Sequence, residues 1–102
     1  MSTKAIITIE GLKHFNLYKH WDGGPYATLP WLETFNKKFE AKRGDDNEYK
    51  AAQLIRSSIL YAEEFSLDKS TEEGWGIYPD GGICANFRYR LMKDGSVTYQ
   101  EL

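Results

Sequence analysis

The stretch from Ile83 to Leu102, "ICANFRYRLMKDGSVTYQEL", limits what this chain can fold into more than any other. Ile83, Ala85, Phe87, Tyr89 and Leu91 alternate with Cys84, Asn86, Arg88 and Arg90. Successive strand side chains point to opposite faces, so this reads as a strand with one face in a core and one in water. Lys93-Asp94-Gly95-Ser96 follows, with the Asp-Gly pair that tight hairpin turns favour, and Val97 to Leu102 returns as a partner strand. Such a hairpin needs an apolar layer laid against its buried side.

The rest of the chain supplies that layer. Lys4 to Glu10, "KAIITIE", reads as a strand and Gly11 as a turn. From Leu12 to Trp21, Phe15, Leu17 and Trp21 point one way, with Lys19 out of pattern, while Asn16, Tyr18 and His20 point the other. Asp22 to Tyr26 is a loop. Thr28 then caps a helix with Pro30 in its first turn and Leu32, Phe35 and Phe39 on its buried stripe; Gly44 closes it. Asp45 and Glu48 resemble a capping box opening a second helix from about Asp46 to Phe65. Ala52, Ile55, Ile59 and Ala62 form its buried face, widened by Leu54, Tyr61 and Phe65. "FSLDKSTEEGWG" is an acidic linker, and "WGIYPDGG" adds a short strand that Pro79 confines to a sheet edge.

The predicted architecture is α+β: an antiparallel sheet of four to five strands, in the order β-β-α-α-β-β, with two helices packed on one face. A chain of 102 residues makes one domain, 1–102, and an aromatic share of 15% fills a small core with few residues. One cysteine, Cys84, allows no internal disulfide, which fits a reducing compartment. The apolar run in "MSTKAIITIEGLK" is too short for a signal peptide, and none reaches the roughly 20 residues that span a bilayer. A soluble, cytoplasmic protein without membrane attachment is expected.

"LYKHWDGGPY", residues 17 to 26, is densest in chemically active side chains. His14, His20, Asp22 and Cys84 lack the paired spacing of a metal site, and six strand residues separate the histidines by roughly 20 Å; no metal or other cofactor is expected. His20 with Asp22 has the makings of a base and its orienting carboxylate, but Cys84, Ser57 and Ser58 sit in no nucleophile motif. Gly23-Gly24 and Gly81-Gly82 follow aspartates and read as turns, not phosphate loops. A net charge of −2 argues against direct nucleic-acid binding, and the 87–90 strand puts its aromatics and arginines on opposite faces. Trp21, Tyr26, Trp31, Trp75 and Tyr78 fall in loops or at element ends, where aromatics serve as interface anchors.

The same motif carries a resemblance. Tyr18, Lys19, His20, Trp21, Asp22, Gly23 and Pro25 match a Tyr-basic-His-Trp-Asp-Gly-Tyr-Pro signature, with Gly24 in place of its tyrosine. In this the chain resembles a family of small, largely uncharacterised proteins of phages, prophages and some bacteria and archaea, which also end in an aromatic-rich strand similar to "FRYRLMKDGSVTY". The resemblance implies a phage or mobile-element origin and no particular reaction. The expected function is a non-enzymatic protein-binding module docking on a host protein complex, an anti-defence or anti-CRISPR inhibitor being one such role. Its partner-binding residues would be His20, Trp21, Asp22, Tyr26, Trp31 and Trp75, with one charged block beside them. The alternatives are a small hydrolase or transferase using His20 with Asp22, and an acidic nucleic-acid mimic using Glu63 to Glu73.

Overall fold

A computed structural model describes residues 3–65, 74–79 and 84–102. Five strands, β1 (Ala5–Ile9), β2 (Leu12–Lys19), β3 (Trp75–Tyr78), β4 (Phe87–Leu91) and β5 (Val97–Glu101), form one sheet in the order β3-β2-β1-β4-β5. Two helices, α1 (Pro25–Arg43) and α2 (Asn47–Phe65), are joined by a short turn. The α+β class and the order of elements are as expected, and β3 is an edge strand as Pro79 requires.

The sheet is mixed rather than wholly antiparallel. β1 pairs antiparallel with β2 but parallel with β4, from Ala5 opposite Phe87 to Ile9 opposite Leu91. Asn86 joins the two strands at their starts: its Oδ1 accepts from Lys4 N at 2.9 Å and its own N–H donates to Lys4 O at 2.9 Å. The start of β4 is thereby clamped beside the start of β1. The clamp also shortens the 83–91 alternation, because Cys84 to Asn86 lie outside the strand. β1 is the central strand, and Ile6 and Ile7, which point to opposite faces, are both fully buried, in keeping with "AIITI" reading without alternation.

Ala5, Ile7, Ile9, Leu17, Tyr89 and Leu91 meet Leu32 of α1 and Leu54 of α2 in the core. α1 starts earlier than expected, with Pro25 at its first position and Pro30 inside it; Thr28 turns inward instead of capping. Gly44 keeps a right-handed backbone, and Asp46 rather than Asp45 caps α2, its Oδ1 accepting from Tyr49 N at 3.1 Å. The inward stripe of α2 is rotated from the expected one. Lys50, Leu54 and Ser58 are buried, whereas Ala52 is exposed and Ile55 half-buried. Polar residues can occupy that stripe because each finds a partner: Lys50 reaches Glu40 of α1 at 2.5 Å, and Ser58 donates to Ile55 O. Asn36, fully buried, donates to Met92 O and Ser96 O and so ties the β4–β5 turn to α1.

The side chains of Ile59, Tyr61, Ala62 and Phe65, the 66–73 part of the acidic linker, and Gly81-Gly82 lie outside the described residues, as do most of the acids of the nucleic-acid-mimic reading. Among the described residues no helix is long and apolar enough to cross a membrane.

Candidate functional site

The 17–26 motif is built around a buried lysine. Lys19 keeps the strand alternation with Phe15 and Leu17, so its side chain faces the helices and is almost fully buried. Its Nζ donates to Asp22 O at 2.9 Å and to Thr28 Oγ1 at 3.3 Å, and lies 6.0 Å from the ring centres of Trp31 and Trp75. Thr28 Oγ1 donates to the same Asp22 carbonyl at 2.7 Å, and Tyr89 Oη donates to Gly23 O at 2.6 Å. Side chains from β2, α1 and β4 therefore hold two consecutive carbonyls of one turn. Burial pulls Lys19 down to about 8, opposed by the nearby Asp22 carboxylate. Burial also pushes Tyr89 well above its ordinary value, with the Thr28 hydrogen bond acting the other way.

The turn itself is tight. Asp22 has φ 53, in the left-handed region that Asp tolerates. A Cβ on Gly23 would stand 2.8 Å from backbone atoms of Thr3, Lys4 and Ala5, so glycine is required where the turn crosses the start of β1. Gly23 N–H donates to Thr3 O at 2.8 Å.

The six expected binding residues do not form one cluster. His20 and Trp21 sit on the side away from Lys19. His20 Nδ1 and Tyr18 Oη are 2.6 Å apart, and Tyr18 in turn packs edge-on to Tyr78. The His20 ring thus pairs with Tyr18, not Asp22. Burial, then Tyr78, raises the Tyr18 hydroxyl above its ordinary value. Trp21 does not share the inward face expected of it with Phe15 and Leu17: it is 51% exposed, edge-on to His20 and over Gly74, while Lys19 takes the inward position. Trp31 and Trp75 meet edge-on at 5.9 Å against the core, and Trp31 Nε1 donates to Ser57 Oγ at 2.8 Å, so folding accounts for much of both.

Asp22, Tyr26 and Trp31 belong to a second feature, a groove of about 1170 Å³ running along α1 and α2. Tyr26, 98% exposed, stands at one end; Arg43 and Tyr49 close the other. Ala27, Trp31, Phe35 and Phe39 line it from α1, recurring at the i, i+4 spacing of one helix face. Among the described residues four cations, Lys38, Lys42, Arg43 and Arg56, border it, against a single carboxylate, Asp22. Arg43 pairs with Asp46 at 3.5 Å and stacks on Tyr49, but Lys38, Lys42 and Arg56 meet no carboxylate among the described residues.

The basic end of α1, at Lys37, Lys38, Lys42 and Arg43, is visible in the sequence; its meeting with Arg56, Phe35 and Tyr49 is not. The α1 signal was there: apolar residues at 27, 31 and 35 form a stripe beside the inward one at 28, 32 and 36. Among the described residues no three His, Cys, Asp or Glu side chains converge as a metal site would require. No protein-family model, curated protein or solved structure matches the chain.

Proposed function

We propose that this protein is a non-enzymatic module that docks on a protein partner through the interhelical groove and the Tyr26 end of α1. One observation carries the reading: aromatic and basic side chains from both helices converge on a single open groove of about 1170 Å³. The groove lies open along the two helices instead of enclosing a ligand, which suits a segment of a macromolecule. The pairing of His20 with Tyr18 weighs against the hydrolase or transferase alternative, which needs His20 oriented by Asp22. A host target and an anti-defence role, CRISPR inhibition included, are further proposals supported by the motif resemblance alone.

The test is site-specific photo-crosslinking. A photoreactive residue at position 26 should capture a discrete protein from host lysate, and Arg56→Glu in the same chain should abolish the adduct. A photoreactive residue at Thr98, exposed on β5, serves as control. Equal capture from both positions, or none from position 26 in a folded protein, would sink the proposal.

A further inference from the structure

We infer that the occupant of the groove is an acidic, amphipathic α-helix of the partner, lying alongside α1 and α2 as a third helix. The inference rests on the docking function proposed above and names the chemistry of what docks. Three observations lead to it.

The first is the double use of α1. Thr28, Leu32 and Asn36 face the sheet, while Ala27, Trp31 and Phe35 face the groove. Trp31 and Phe35 also pack against the core, and Trp31 meets Trp75 and Ser57, so the fold uses part of this stripe; what it leaves open is an apolar floor between the cations of the two helices. The second observation is charge. Lys38 and Lys42 flank the stripe from α1 and Arg56 from α2, all exposed and without a carboxylate partner among the described residues. Acidic residues on both sides of an incoming apolar stripe would meet them. The third is length: Tyr26 to Arg43 is about 25 Å of helix at about 1.5 Å per residue, room for about four turns of a partner.

A single-stranded nucleic acid would also answer the cations, but the aromatic faces are unsuited to it. Phe35 stacks on Phe39, Phe39 packs on Tyr49, and Tyr49 is covered by Arg43. The rings pack on one another, leaving edges and an apolar floor for side chains instead of a platform for bases.

The probe is a fluorophore-labelled synthetic peptide of about 16 residues, with leucine at i, i+3, i+4 and i+7 and glutamate on the flanking positions. A scrambled peptide of the same composition and a labelled oligothymidylate are measured beside it by fluorescence anisotropy. The amphipathic peptide should bind saturably, about tenfold or more tighter than the scrambled one. It should lose about tenfold or more in a Lys38→Glu/Arg56→Glu protein of unchanged circular dichroism, and weaken with added salt. Equal binding of the scrambled peptide, tighter binding of the oligonucleotide, or no peptide binding would overturn the inference. If no peptide binds while position 26 still crosslinks a protein, the helical occupant is wrong and the docking function stands; if both fail, both are wrong.

Discussion

At the foot of the sheet, Lys19 lies between Trp31 and Trp75 with its ammonium given to Asp22 O and Thr28. Along the outer groove, Lys38, Lys42 and Arg56 flank Trp31 and Phe35 with no carboxylate beside them among the described residues. Both regions set cations among aromatics, yet one is closed by the chain itself and the other is open. The contrast separates two uses of the same residue types. A buried cation must be satisfied internally, so its surroundings record folding; an exposed cation costs little unpaired, so folding does not dictate where a cluster of them stands. The motif with the most reactive-looking residues is thus chiefly a fastening for a turn, and the binding surface we propose lies on the plainer helical stretch.

The largest effects should come from breaking internal satisfaction. Lys50 and Glu40 form an ion pair with side chains 1% and 7% exposed. Lys50→Met should cost about 3–5 kcal/mol by leaving Glu40 buried and alone, and Glu40→Leu/Lys50→Met should recover most of it. Urea unfolding followed by tryptophan emission measures both; a single variant as stable as wild type would show that the pair is not closed to water. Gly23→Ala comes next, at about 2–3 kcal/mol, because backbone atoms of β1 cannot make room for its Cβ. Thermal unfolding within a degree or two of wild type would mean that the turn stands off from β1.

Lys19 gives a smaller effect with a distinctive sign. Burial lowers it from 10.5 to about 8, so between those values the unfolded chain holds a proton that the folded chain has released. Stability therefore rises with pH across that window, by about 2 kcal/mol between about pH 7.5 and 9.5, while below the window both states are protonated and the desolvation cost remains. Tyr18 and Tyr89, raised above their ordinary value, hold protons more tightly when folded and oppose the trend above about pH 10. Lys19→Met should flatten the rise in a urea series across pH. An equal rise in the variant would assign it to other groups.

The same contrast explains what was legible in the sequence. The terminal hairpin, the β1–β2 pair and both helices follow from local periods, whereas the burial of β1 on both faces was not read from "AIITI". The parallel pairing of β1 with β4 did not show, since it brings Asn86 to Lys4 across 82 residues. Lys19 looked out of pattern because a lysine at an inward position is explicable only once the Asp22 carbonyl is placed within its reach. The rotated stripe of α2 was missed for the same reason: Lys50 and Ser58 count as inward residues only when their partners are known. The groove needed the spacing between two helices, which no single-helix pattern contains.

The smallest stability effects should fall in the groove, and there the comparison is sharpest. Tyr26 is 98% exposed and Arg56 is exposed with no ion-pair partner among the described residues. Tyr26→Ala and Arg56→Glu should each change unfolding free energy by no more than about 0.5 kcal/mol, since neither removes a buried contact. Partner capture should nevertheless fall severely in both, because a rim cation sets encounter and an exposed aromatic end-piece anchors the bound segment. Lys19→Met should show the reverse: its altered stability should leave capture intact wherever the fold survives. Measuring unfolding on the same three variants, and capture with the photoreactive residue moved to Thr34 in the groove lining, decides it. Capture lost with Lys19 and kept without Tyr26 or Arg56 would return the binding surface to the 17–22 motif, whereas the expected crossing of the two readouts separates a fastening made of lysine and tryptophan from a docking face made of similar parts.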